Sequence, residues 1–166
     1  MEPSKTTLFL VSGKIASGKS TLAKHLANQN HALLICQDDW LSTLFPDEIR
    51  TLEDYVKYFG RLTNVLGKHV SAILSGGQSV VLDFPANTLK TRSWMKSIGD
   101  SANCRIEMHF LDLPDQICMQ RLKVRNDSGE HPYKTTEEEF HQFTKYFVAP
   151  ETTEGFDVIV HPRSDS

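Results

Sequence analysis

Gly13-Lys14-Ile15-Ala16-Ser17-Gly18-Lys19-Ser20-Thr21 is the stretch that decides the fold. Its segment from Gly13 to Ser20 fits G-x-x-x-x-G-K-[ST] at every fixed position, the pattern of a phosphate-binding loop. Each fixed residue has a physical reason. Gly13 and Gly18 let the backbone wrap closely enough for successive N–H groups to point inward. A helix start behind such a turn favours an anion. Lys19 has the reach for β- and γ-phosphates, and Ser20 offers a hydroxyl to Mg²⁺. The motif needs a strand before it and a helix after it. Thr7-Leu8-Phe9-Leu10-Val11 is an apolar, β-prone run, and Leu22, Ala23 and Leu26 recur at helical spacing behind the loop.

Working outward, four more apolar β-type runs follow: Ala32 to Cys36, Ser79 to Asp83, Ile106 to Leu111 and Phe156 to Val160. Segments of helical character separate them. Strand alternating with helix predicts an α/β domain with a parallel sheet covered on both faces and right-handed crossovers. Ligands in such sheets sit beyond the carboxyl ends of the strands, so the residues just after each run are the candidates. The stripe Tyr55, Phe59, Leu62, Leu66, Val70 and Ile73 reads as the core face of one long helix, with Gly60 and Gly67 marking a bend or break.

After the second run stand Asp38 and Asp39. A carboxylate there can take the proton of an attacking hydroxyl, or cap the next helix. After the third run stands Asp83, the form of an acid that supports Mg²⁺ beside a phosphate loop. Asn87 or Thr88 then caps a helix, Asn87 also being a candidate for contact with substrate or phosphate. Pro114 and Asp115 suit a further helix start. Arg121 and Arg125, four apart on one helical face, lead into a polar stretch from Asn126 to Pro132. Two guanidinium groups before a polar loop make a candidate phosphate-clamping lid, roughly residues 121–136. Thr135 or Thr136 opens the next helix with a capping box and Phe140, Phe143 and Phe147 face inward. His161-Pro162-Arg163 is either a flank for an adenine ring or a plain tail.

Composition bounds the function class. A chain of 166 residues with 39% hydrophobic content is long enough for one full core, so a single domain over 1–166 is expected. A formal net charge of −3 argues against a broad nucleic-acid footprint. Cys36, Cys104 and Cys118 lack metal-ligand spacing and read as core thiols; an odd count fits a reducing, cytoplasmic compartment. No apolar run is long enough for a membrane span.

The set Gly13–Thr21, Gln37-Asp38-Asp39-Trp40, Val80-Val81-Leu82-Asp83, Phe110-Leu111-Asp112-Leu113-Pro114, Arg121 to Asn126, Thr136-Glu137-Glu138-Glu139-Phe140 and Glu154-Gly155-Phe156-Asp157 carries a family likeness over nearly the whole chain. In that order it resembles the small P-loop kinases of the AAA-family ATP-binding and zeta-toxin-like group. Chloramphenicol phosphotransferase, gluconate kinase and polynucleotide 5′-kinase domains are similar in layout. The resemblance implies a three-layer P-loop NTPase fold, with five parallel strands, the second at an edge, and a small lid. It implies ATP and Mg²⁺ as cofactors, Asp38 as base, and Arg121 and Arg125 as lid arginines. Polynucleotide kinases carry an Arg three residues after that Asp, where this chain has Leu41. That favours a small hydroxylated acceptor over a nucleic-acid 5′-end. The expectation is therefore a kinase, monomeric or weakly dimeric. The alternatives are a nucleotide or nucleic-acid kinase, and an ATP-hydrolysing switch.

Overall fold

The computed structural model describes residues 5–129 and 134–161. Five strands, β1 (Thr7–Ser12), β2 (Leu33–Cys36), β3 (Val80–Asp83), β4 (Arg105–Leu111) and β5 (Asp157–His161), form one sheet in the order β2-β3-β1-β4-β5. All four pairings are parallel, with Leu10 of β1 opposite Leu82 of β3 and Met108 of β4. β2 stands at an edge, as the resemblance implies. The helices are α1 (Lys19–Asn30), α2 (Gln37–Leu44), α3 (Leu52–Ser75), α4 (Leu89–Ser101), α5 (Asp115–Ser128) and α6 (Glu137–Lys145).

Side-chain alternation along β1 explains the layering. Leu8 and Leu10 pack on one face, against Leu62, Leu66, Val70 and Leu74 of α3 and Met95 and Ile98 of α4. Phe9 and Val11 pack on the other, against Ala23, Leu26 and Ala27 of α1. A third cluster joins Leu113, Cys118, Leu122 and Phe140 to Ile15 and Ala16 of the phosphate loop. The apolar residues of that loop are thereby held down by α5 and α6.

Several expectations change. α3 runs unbroken through Gly60 and Gly67, because its apolar stripe is continuous; an added Cβ at Gly67 would lie 3.2 Å from Trp94 Nε1, so the glycine admits the indole against the helix. Asn126, Asp127 and Ser128 are not loop: α5 includes them and ends at Gly129, whose φ of 68° suits glycine. Glu130 to Tyr133 of the expected lid, and Pro162 and Arg163, lie outside the described residues. Phe143 is exposed on α6, while Phe140 is fully buried and Phe147 partly so. Neither acid after β2 caps α2. Cys36 is the N-cap residue, and Asp38 and Asp39 sit in the first turn, where the helix dipole favours negative charge. Thr88, not Asn87, caps α4 by accepting from the Thr91 N–H. Thr136 and Glu139 form the capping box of α6.

Candidate active site

The phosphate loop leaves β1 at Ser12 and enters α1 at Lys19. Gly18 adopts φ 99° at the N-cap, a left-handed conformation that costs glycine nothing. Ala16 takes φ 63° without that excuse. A Cβ on Gly13 would overlap Ser17 Oγ and lie 3.2 Å from the Leu111 carbonyl oxygen. Lys19 folds over the loop, its Nζ donating to the carbonyl oxygens of Gly13 at 2.9 Å and Lys14 at 3.0 Å. Burial lowers its pKa to about 8, against the opposing pull of Asp83 and Asp38.

The acids come from neighbouring strand ends. Ser20 Oγ donates to Asp83 Oδ2 at 2.8 Å, so the start of α1 and the end of β3 present adjoining oxygens. Such hard donors match Mg²⁺. Asp38 is half-buried and Asp39 exposed, which separates the adjacent pair: Asp38 acts electrostatically on both Lys19 and Arg125.

α5 supplies the cations. Lys14 Nζ reaches Asp115 Oδ1 at 2.6 Å and the Leu113 carbonyl at 3.4 Å, tying the loop to the start of α5. Arg121 Nη1 donates to the Ser17 carbonyl at 3.4 Å. One turn on, burial holds the Arg125 guanidinium below the usual arginine range, with Asp38 opposing. Its Nε is buried without a hydrogen-bond partner. The two arginines thus divide: Arg121 lies by the loop backbone, and Arg125 lies in the field of Lys19 and Asp38. The described residues hold no group of three or more His, Cys, Asp or Glu suited to a metal. Burial raises the pKa of all three cysteines, that of Cys36 to about 12, so they stay thiols.

Two positioning roles escape the sequence reading, that of Asn87, expected as a cap or a substrate contact, and that of Arg92. Asn87 Oδ1 accepts from the Gly13 N–H at 3.1 Å and from Ser12 Oγ at 3.3 Å, which fixes the loop entrance. Arg92 is fully buried on α4. Its Nε pairs with Glu154 Oε1 at 2.7 Å, and its Nη1 donates to the carbonyls of Ala86 at 3.0 Å and Val148 at 2.7 Å. The Val148 N–H in turn donates to the Asn87 carbonyl at 2.8 Å. A chain of polar contacts therefore runs from Glu154 through Arg92 to the backbone beside Asn87. The available signal was an arginine in helical register with Met95 and Ile98, three and six residues on.

This geometry agrees with the comparisons. A family model described as an AAA domain matches residues 8–150. The chain belongs to the AAA domain family. No curated protein matches this AAA-domain chain at a significant level. Among solved structures, a candidate kinase from Chloroflexus aurantiacus is 17% identical, with a TM-score of 0.75 over 95% of this chain and 85% of its own. Kti12 of Chaetomium thermophilum in complex with ADP-AlF3 is 14% identical, with a TM-score of 0.71 over 96% and 90%. The APS kinase CysC of Mycobacterium tuberculosis, in complex with AMPPNP and APS, is 19% identical, with a TM-score of 0.62 over 98% and 92%. The AAA-domain protein therefore has the fold of P-loop kinases. Among the described residues, no helix is long and apolar enough to cross a membrane.

Proposed function

We propose that this AAA-domain protein is an ATP- and Mg²⁺-dependent phosphotransferase that moves the γ-phosphoryl group to a hydroxyl of a small molecule. The observation that carries the reading is the shared electrostatic neighbourhood of Lys19, Asp38, Asp83 and Arg125, drawn from four elements onto one phosphate loop. The loop amides from Gly13 to Thr21 and the Lys19 ammonium hold the phosphates. Ser20 and Asp83 would hold Mg²⁺, which supplies charge neutralisation at the phosphates. Asp38 takes the proton of the acceptor hydroxyl as its oxygen forms a bond to the γ-phosphorus and the bond to the β,γ-bridging oxygen breaks. Arg125 offers N–H donors to the equatorial oxygens, where negative charge is spread in the transition state. Arg121 steadies the nucleotide side through the loop backbone. The test is ADP release with and without pools of sugars, polyols, nucleosides and 5′-hydroxyl oligonucleotides. ADP release that depends on one of the small-molecule pools supports the reading. Release that no pool alters, or that depends on oligonucleotide alone, refutes it.

A further inference from the structure

Beside Asp38 stands a group that neither phosphate binding nor proton transfer uses. Gln37 opens α2 and is 3% exposed. One end of its amide is held: Nε2 donates to Tyr55 Oη at 2.8 Å. The other end, Oε1, is buried and has no hydrogen-bond partner. A buried amide oxygen left without a donor costs free energy unless something supplies one. Tyr55 is also part of an aromatic wall. Its ring stacks on Phe59 at 5.8 Å and meets Phe143 of α6 edge-on at 6.1 Å. α2, α3 and α6 thus come together around Tyr55, in the turn of α2 that carries Asp38, with an apolar wall and an unanswered amide oxygen side by side. That is the composition of a small-molecule site.

The charge of that site is legible too. One turn along α2 from Asp38 stands Leu41, fully buried. Lys57 and Arg61 of α3 lie over Tyr58 and are exposed, as is Lys68 further along the helix. Lys19 and Arg125 act on Asp38 from the phosphate-loop side, whereas the groups around Gln37 and Tyr55 are an amide, a phenol and aromatic rings, which suit hydroxyls and ring faces, not anionic groups.

We infer that Gln37 and Tyr55 are specificity determinants of an acceptor site for a neutral, multiply hydroxylated ring compound, a free sugar or a nucleoside. This rests on the kinase reading above. The Gln37 amide oxygen accepts from one acceptor hydroxyl while the neighbouring hydroxyl is presented to Asp38, and the Tyr55–Phe143 wall packs on the ring. The site rejects a phosphorylated or carboxylated counterpart, because the Gln37–Tyr55–Phe143 side offers an anion no partner charge, and Arg125 is engaged by the transferring phosphoryl group in the kinase reading.

The experiment measures phosphate transfer from γ-labelled ATP to paired acceptors: glucose, ribose and adenosine against glucose 6-phosphate, ribose 5-phosphate, gluconate and AMP. Neutral members should lead their anionic counterparts by at least about 100-fold in kcat/KM, as expected when a site lacks the partner a group requires. Gln37→Leu should raise the KM for the preferred acceptor at least about tenfold more than it raises the KM for ATP. Tyr55→Phe, which removes a single oxygen and keeps the ring, should shift acceptor KM in the same direction by less. Binding of a fluorescent ATP analogue by each variant verifies its fold. Preference for the anionic members overturns the inference while leaving the kinase reading intact. So does a Gln37→Leu variant, or in its place a Tyr55→Phe variant, that changes acceptor and ATP KM equally. Transfer to neither class, with ATP binding intact, overturns both.

Discussion

Gly13→Ala tests whether the close turn at the loop entrance sets nucleotide affinity. An added Cβ would overlap Ser17 Oγ and press on the Leu111 carbonyl oxygen at 3.2 Å. Ser17 is 2% exposed, and its Oγ has no hydrogen-bond partner to lose, but Leu111 belongs to a central strand and cannot retreat. Gly13 must therefore move, straining its N–H bond to Asn87 and shifting the carbonyl that receives Lys19. Overpacking of this kind costs about 1–3 kcal/mol. If the cost falls on the bound geometry, nucleotide affinity drops about 5- to 150-fold. Titration of a fluorescent ATP analogue reads the loss, and thermal unfolding of the free protein reads the share that falls on the fold. Ser17→Ala removes the overlapping oxygen, so the double variant Gly13→Ala/Ser17→Ala should recover part of the affinity, with a coupling of about 0.5–3 kcal/mol. Wild-type affinity in Gly13→Ala, or no recovery in the double variant, would refute the reasoning.

Three further outcomes are expected. Lys19, with its pKa lowered to about 8 by burial, is charged below that pH and neutral above it, so kcat/KM for ATP should fall as pH rises through 8, approaching roughly tenfold per unit. Lys19→Arg, whose guanidinium stays charged, should lack that inflection in the same pH profile. Arg92→Met leaves Glu154 and three backbone carbonyls without their donor; at about 3–5 kcal/mol for a broken buried pair and ~2–4 °C per kcal/mol, Tm should drop on the order of 10 °C. Calorimetry reads that drop, and Arg92→Met/Glu154→Gln should recover part of it. Arg125→Ala should lower kcat more than it raises the KM for ATP, because charge on the moving phosphoryl group grows in the transition state; steady-state kinetics separates the two.

The phosphate loop and the sheet were legible because both are written locally. The loop needs particular residues at fixed spacing, and buried parallel strands read as short apolar runs. Ser20 and Asp83 were each marked by their place on the carboxyl side of a parallel sheet, but their mutual contact depends on β3 lying beside β1. Other features depend on non-local packing. Asn87 and Thr88 are both good capping residues, and only the fold shows Thr88 serving α4 while Asn87 turns back to Gly13. Arg92 follows an apolar register, but its carbonyl partners lie up to 57 residues away. The Asn126–Ser128 stretch has weak helix propensity; α5 nevertheless continues to the glycine at its end. The amide of Gln37 is silent in sequence, since its meaning lies in which end Tyr55 holds.

The central claim is phosphoryl transfer to a hydroxyl with Asp38 as base. The direct measurement is the fate of γ-label from ATP, supplied with Mg²⁺ and a mixture of neutral hydroxylated small molecules. The account predicts label in an organic phosphate ester, a loss of roughly 10²–10⁴-fold in that product with Asp38→Asn at unchanged ATP affinity, and a lesser loss with Asp39→Asn. Label that appears solely as inorganic phosphate, or an Asp38→Asn variant that transfers as fast as the wild type, would contradict it.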